Sequence, residues 1–377
     1  MNHPDLIYRI ALTYAKGIGP AKARNFIEHF GSAKAVFDGT YADEGHTSSA
    51  DEKLTESTLH LLEGLDRSAL MQRAEKEMEF ISKHNIRALC LGEADYPKWL
   101  AEGTDAPAVI FVLGNMQFNR GHMVSIVGTR RPTDIGLQNC SQLVTDLAQM
   151  VPDCTIVSGL AYGIDVMAHR TAIEAGLPTI GVLGHGLDRI YPAANRQVAV
   201  KMTERGGLLT EYTSQTAIEP GNFLQRNRII AGLSEVTVVV ESRERGGSLS
   251  TAATAFSYYR DVKAFPGRVA DTNAKGCNTL IKRGRAALIE SAADLVEQMG
   301  WKTAAPVAQP ELVLITDPQE LAVVNAFHAA GTDVMHINDL ANAIDKSVST
   351  TSVLMFQMEL KNMVRPLAGG NYRLLVG

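Results

Sequence analysis

The chain has 377 residues, 45% hydrophobic and 20% charged, with a formal net charge of −5; these ordinary globular proportions exclude a disordered chain and, at roughly 100–200 residues per domain, suggest two or three domains. A mean hydropathy of −0.03 and apolar runs no longer than a strand argue against a membrane-spanning helix, and the start Met1-Asn2-His3-Pro4-Asp5 does not read as a secretory leader. Cys90, Cys140, Cys154 and Cys277 are too scattered for a zinc site or a disulfide framework, so no metal is expected and a reducing, cytoplasmic setting is.

A global basic excess is missing, but residues 123–300 carry 18 Lys and Arg against 17 Asp and Glu. A polyanion would therefore be met by a local patch in the middle third.

In chain order, Leu6, Ile10 and Leu12 predict a helix, followed by the turn Gly17-Ile18-Gly19-Pro20 and a helix from Ala21 to Phe30. The pattern reads either as a helix-hairpin-helix unit, whose glycines let amides approach a phosphate, or as a plain turn in a small bundle. Residues 39–57 are polar and small, and predict a loop between helices. Leu70 to His84 predicts a long helix, Ile86 to Leu91 a strand, Tyr96 to Leu100 a turn and Ala108 to Leu113 a strand.

From Met123 the pattern changes. Apolar runs at Val124–Val127, Thr155–Val157, Thr179–Leu183, Gly207–Thr210, Val236–Val240 and Val262–Phe265 alternate with helical patterns near 135–150, 163–175, 194–205, 222–233 and 248–260. Uniformly apolar strands alternating with helices predict a parallel sheet covered on both faces, with ligands bound at the carboxyl ends of the strands. Residues 303–310 read as a linker. Beyond it, helices are predicted at Pro318–Ala329, from Asn338 and over Ser347–Asn362, then a hairpin turning at Gly369-Gly370-Asn371, which together make a winged-helix pattern. The third of these helices carries too few basic residues for a groove reader.

The loops after the strands carry the chemistry: Gly128-Thr129-Arg130-Arg131, Ser158 to Asp165, Gly184-His185-Gly186 with Tyr191 to Arg196, Phe223 to Ser234, and Glu241 to Thr251. Glycines permit close approach, arginines match phosphate oxygens, and hydroxyls and amides add hydrogen bonds. Neither Gly-x-Gly-x-x-Gly after the first strand nor a Gly-Lys-Ser/Thr loop is present, which sets aside dinucleotide oxidoreductases and P-loop ATPases.

Taken together, Ile126 to Arg130, Ser158 to Asp165, Val182 to Asp188, Tyr191-Pro192, Arg226-Asn227-Arg228-Ile229-Ile230-Ala231-Gly232-Leu233-Ser234, Gly247-Ser248-Leu249 and Phe265-Pro266-Gly267 resemble the bacterial DNA-processing protein A family (DprA/Smf). The motifs cover about residues 122–300. The resemblance implies an α/β chain: an N-terminal helical (helix-hairpin-helix/SAM-like) unit at 1–85, an extended Rossmann-like parallel-sheet domain at 86–302, a linker at 303–310 and a winged-helix domain at 311–377. It implies a non-enzymatic, cofactor-free single-stranded DNA binder of natural transformation that protects incoming DNA, forms a homodimer and helps to load RecA. The DNA-binding positions it implies are Gly128, Thr129, Arg130, Ser158, Gly159, Arg226, Asn227, Arg228, Gly247 and Ser248, with Arg196 carried over from the basic position after the Tyr-Pro loop. Leu280 and Ile281 are implied in the dimer. Thr129 stands where the family has serine, and Leu224 where it has proline.

Each residue also has an ordinary reading. Arg130 could form a surface ion pair, Asn227 a helix cap, and Gly246-Gly247-Ser248 a turn. Arg226 and Arg228 lie two apart at a helix start and point to different sides, so one could pair with Glu211 or Glu241 while the other meets phosphate; the spacing does not say which. His169 reads as a structural histidine. Tyr162 and Tyr191 are candidates to stack on bases. The competing function is a phosphoribohydrolase-like enzyme of the lysine-decarboxylase-like (LOG) group, which places a glutamate on the helix after its Gly-Gly loop; Leu249 to Ala255 offers no carboxylate.

Overall fold

Strands that are buried along their whole length must be covered on both faces, and the computed structural model shows how that is done. It describes residues 5–39, 56–303, 317–361 and 363–375. In chain order the first part contains α1 (Leu6–Thr13), α2 (Pro20–Phe30), α3 (Ala33–Asp38), α4 (Glu56–Glu63), α5 (Arg67–Lys83), β1 (Arg87–Cys90), α6 (Lys98–Ala101), β2 (Val109–Gly114), β3 (Met123–Val127), α7 (Asp134–Met150), β4 (Thr155–Ser158), α8 (Ile164–Glu174), β5 (Thr179–Val182), α9 (Arg196–Arg205), β6 (Gly207–Thr210), α10 (Pro220–Leu233), β7 (Val236–Val239), α11 (Ser248–Ser257), β8 (Asp261–Ala264), α12 (Lys275–Lys282), β9 (Ala287–Leu288) and α13 (Ala292–Met299).

The strands form a nine-stranded sheet in the order β1-β2-β6-β5-β4-β3-β7-β8-β9. From β6 to β9 the pairing is parallel, whereas β1 with β2 and β2 with β6 are antiparallel. The order reverses direction at β3 and β7: β4, β5 and β6 run out to one side, β8 and β9 to the other. Loops leaving β3 and β7 therefore diverge and leave a crevice at the carboxyl ends of the strands.

Alternation along each strand decides which layer a side chain joins. Met123 and Val127 of β3 enter one core with Ile229, Ile230 and Leu233 of α10 and Ala252 of α11. Val124 and Ile126 enter the other with Leu143 and Leu147 of α7, Ala168 of α8 and Leu295 of α13. Ser125, on the α10 side, is fully buried and donates to the Ile230 carbonyl at 2.7 Å, so its hydroxyl is satisfied. The N-terminal helices cover the antiparallel end: Leu6, Ile10, Phe26 and Phe30 share a core with Cys90 of β1 and with Val109 and Phe111 of β2.

Contacts divide the chain into Met1–Ala304 and Ala305–Gly377. In the second unit, α14 (Pro318–Ala330), β10 (Val334–His336), α15 (Ile337–Ala343), α16 (Val348–Leu360), β11 (Val364–Leu367) and β12 (Asn371–Leu374) enclose a core of Val323, Phe327, Leu340, Leu354, Met355 and Met358. Its sheet has the order β10-β12-β11, antiparallel throughout. The hairpin read from Gly369-Gly370-Asn371 is β11–β12; β10 adds a third strand that three half-buried residues did not signal. The loop expected over residues 39–57 and the linker over 303–310 fall mostly outside the described residues.

Leu147 is wholly buried between α7 and the sheet, whereas Leu224 is 61% exposed. Leu147→Ala should cost about 2–5 kcal/mol in urea unfolding, and Leu224→Ala less than about 0.5 kcal/mol.

Candidate functional site

The crevice between β3 and β7 is built by tight packing of short loops. Gly128 follows β3, and a Cβ there would lie 2.5 Å from Ile164 Cγ1. Gly163, just before α8, has φ +80°, and a Cβ on it would lie 2.3 Å from the Thr129 carbonyl oxygen. These glycines let the β3 loop sit against the start of α8, where Ile164 N donates to the Thr129 carbonyl at 3.2 Å. On the other wall, Thr129 N donates to the Glu241 carbonyl at 2.8 Å. The Glu241 carboxylate accepts from the Thr133 hydroxyl and from Thr133 N, and the same hydroxyl caps α7 by accepting from Gly136 N at 3.1 Å. Glu241 is thereby committed to holding the two walls together.

Arg226 lies under the floor. It is 4% exposed, and α10 carries it across the ends of β4 and β5, where Nη1 donates to the Gly159 carbonyl at 2.7 Å and to that of Val182. A Cβ on Gly159 would lie 2.5 Å from Arg226 Nη1, so a larger residue here would have to displace the guanidinium from its two carbonyls. Arg226 Nε is buried without a partner. Asp165 accepts from Gly159 N at 3.2 Å. Burial holds the Asp165 carboxyl above the usual aspartate range despite the pull of Arg226 and of nearby donors. Burial also lowers Arg226, to about 10, with Asp165 opposing and Arg130 reinforcing the shift; the guanidinium stays charged at neutral pH.

Above this floor is an open cavity of about 680 Å³. Of the residues expected at the site, Gly128, Thr129, Arg130, Arg226, Asn227, Gly247 and Ser248 line it. Gly247 is the N-cap of α11, which has no side-chain cap, and Ser248 Oγ donates to Ser242 Oγ at 2.9 Å. The cavity also takes in Arg243, Arg245 and an apolar rim of Ile218, Phe223, Leu224 and Tyr191. The Tyr191 and Phe223 ring centroids are 5.7 Å apart. Among the described residues, the exposed guanidiniums of Arg130 and Arg245 have neither ion pair nor hydrogen bond. Arg243 donates through Nε to Asn273 Oδ1 at 2.8 Å.

Four expected residues lie elsewhere. Ser158 is wholly buried and donates to the Ile126 carbonyl at 2.6 Å, and Gly159 sits beneath the floor. Arg228, on the other side of α10, forms an ion pair with Glu211 and donates to the Asp105 carbonyl at 2.6 Å. Of the two arginines, then, Arg226 reaches the cavity and Arg228 takes the carboxylate. Arg196 opens α9 as an exposed residue away from the cavity wall. Leu280 is buried in the core beneath α12, and Ile281 packs half-buried against the same core. Arg243 and Arg245, in the loop expected to carry chemistry but not among the assigned positions, line the cavity; of the two, Arg245 beside Gly246-Gly247 already favoured an anion in the sequence.

His169 is buried against Thr179 Oγ1 at 2.7 Å, and burial lowers its pKa to about 3; His185 is lowered by burial too and accepts from Tyr191 N at 3.3 Å. Both serve the fold as neutral rings. Among the described residues no group of three or more His, Cys, Asp or Glu side chains could hold a metal.

Comparison with known proteins bears on this geometry. The family model described as DNA recombination-mediator protein A matches residues 87–300. A DNA processing protein DprA of Bacillus subtilis (strain 168) is 40% identical over 218 residues, 58% of this chain and 72% of that protein. A protein Smf of Synechocystis is 32% identical over 323 residues, 85% of this chain and 79% of that one. The X-ray structure of DNA processing protein A from Streptococcus pneumoniae superposes with a TM-score of 0.61 at 28% identity, covering 79% of this chain and 99% of that one. A structure of the Helicobacter pylori protein, which describes that protein's single-stranded DNA binding mode, gives 0.52 at 29% identity, covering 58% and 97%.

Arg228 and Glu211 are a mostly buried pair, with side chains 13% and 10% exposed. Arg228→Ala should cost about 3–5 kcal/mol by leaving the carboxylate buried alone. Burial already holds Glu211 above the ordinary glutamate range, with Arg228 pulling it down; without Arg228 it should rise further. A carboxyl raised on folding favours the folded state when protonated and disfavours it as pH climbs through the raised value. The deficit of the variant should therefore shrink as pH falls below neutrality, in urea titrations at a series of pH values.

Proposed function

The chain belongs to the DNA recombination-mediator protein A family, and on that premise we propose that it holds single-stranded DNA by its phosphates in the cavity between β3 and β7. In this reading it protects the incoming strand in natural transformation and recombination, and helps to load RecA onto it, in the cytoplasm. The observation that carries the reading is a cluster of cationic groups: Arg130 and Arg245 without counter-ions at the rim, and Arg226 buried below, beside Asp165 and with Nε unpartnered. Forked guanidiniums beside glycine loops and a helix N-terminus suit phosphate oxygens. The apolar rim of Phe223, Leu224 and Tyr191 suits bases whose faces are free, as they are only in a single strand. Phosphate contact is assigned to Gly128, Thr129, Arg130, Asn227, Gly247 and Ser248 over Arg226, with Arg243 and Arg245 added; Ser158 and Gly159 support the floor.

The domain reading is an N-terminal helical unit at 1–85, the sheet domain at 86–302 and a winged helix at 311–377. The turn at Gly17–Pro20 serves packing, because α1 and α2 are committed to the core they share with β2. A second copy is assigned to the face around Ile281, supported by its half-burial beside Lys282, Arg283 and Arg285. A twofold dimer would set two cavities on one strand. The enzyme reading is disfavoured, since α11 carries no acid and Glu241 is bound by Thr133.

Fluorescence anisotropy over a salt series tests the reading. Single strands should bind more tightly than duplex, with a slope of about −0.7 per phosphate neutralised. Arg130→Ala should lose about 1.5–3 kcal/mol of that affinity with an unchanged melting curve; equal affinity for duplex, or an unaffected variant, would sink it. A chain ended after Ala304 should keep most of the single-strand affinity, measured the same way. A large loss in the folded fragment would move the second unit into the DNA site.

A further inference from the structure

A second cavity, of about 610 Å³, lies on the far side of the Gly128–Arg131 loop, between the start of α7 and the first turns of α8. Arg130 stands on the wall of both cavities. Arg131, Arg170, the apolar side chains of Leu137, Val166 and Met167, and the ring of Tyr162 also line the second one. All three arginines are exposed, and among the described residues none of their guanidiniums has an ion pair or a hydrogen bond; Tyr162 is 50% exposed. No carboxylate lines this cavity.

We infer that this second cavity takes the nucleotides that follow those held in the first, so that the strand passes over Arg130 and continues along α8. The inference rests on the reading of the first cavity as a single-strand site and extends it. Three observations carry it. The two cavities share Arg130 in their walls, so a strand leaving the first meets the second across a single residue. The second pairs apolar side chains and a half-exposed phenol ring with unneutralised guanidiniums, matching a ligand that alternates flat apolar rings with anions. The charge has one sign only, which suits a backbone carrying one charge per residue.

Competition binding on the full chain separates the two sites, using a thymidine dinucleotide and an oligothymidylate of about twelve residues. The parent should gain affinity with length. Tyr162→Ala should lose roughly 5- to 150-fold on the long strand, the range of one base–aromatic stack, and stay within about twofold on the dinucleotide. Arg170→Ala should flatten the salt dependence of the long strand by about 0.7 and leave that of the dinucleotide unchanged. Arg245→Ala, in the first cavity alone, should weaken both ligands. Both substituted α8-side residues are exposed, so a melting curve equal to the parent's is expected. If Tyr162→Ala and Arg170→Ala keep the parental gain with length while Arg245→Ala weakens both ligands, the second cavity is not on the strand's path and the first reading stands. That outcome would also be the one expected if the cavity serves an acidic peptide instead. If the parent binds no strand at either length, both readings fall.

Discussion

A guanidinium buried at the carboxyl ends of parallel strands organises everything above it. Moving such a group out of water costs several kcal/mol unless its donors are satisfied and an opposite charge lies near. Arg226 meets that cost with the carbonyls of Gly159 and Val182 and with the field of Asp165. In doing so it ties α10 to the ends of β4 and β5, which fixes where Asn227 faces the crevice. It also dictates small residues around it, since even a methyl group at position 159 would collide with it. The positive charge that remains, with one nitrogen unpartnered, gives the floor of the site a sign that no surface side chain has to supply.

The same logic explains why an acidic protein can present a cationic site. Three carboxylates close to the crevice are engaged: Glu241 by the start of α7, Glu211 by Arg228, and Asp165, which lines the cavity with Arg226, by Gly159 N. The arginines of the rim are left without such partners. Net charge reports the whole surface, whereas a ligand within a screening length of about 8–10 Å feels the local arrangement.

How much of this was legible in the sequence follows from what periodicity encodes. Parallel strands such as Val236–Val239 are apolar at all positions but Thr237 and are followed by glycine-bearing loops, so the sheet and the end at which a ligand binds were readable. The separate fates of Arg226 and Arg228 were not: two residues apart on a helix turns them by about 200°, but which face meets the strand ends depends on tertiary packing. Ser158 was readable as a strand-end hydroxyl and not as one turned inward to Ile126. Short elements set by pairing partners, such as β9 and β10, carry too few residues for a pattern. α13 did announce itself, through the capping box of Ser291 and Asp294, and was passed over.

The alternation along β2 has a bearing on how such a chain can be rebuilt or shortened. Ile110 and Val112 belong to the core beneath α10, while Val109 and Phe111 belong to the core of the N-terminal helices. One strand is thus a party wall between two hydrophobic interiors. Removing the N-terminal helices would not uncover a polar surface. It would strip one side of that wall and leave Cys90, Val109 and Phe111 facing water as a contiguous greasy plate, of the kind that recruits other chains non-specifically. Any homologous architecture that dispenses with those helices must therefore repaint every second residue of β2 as polar, or bring in another layer to cover it.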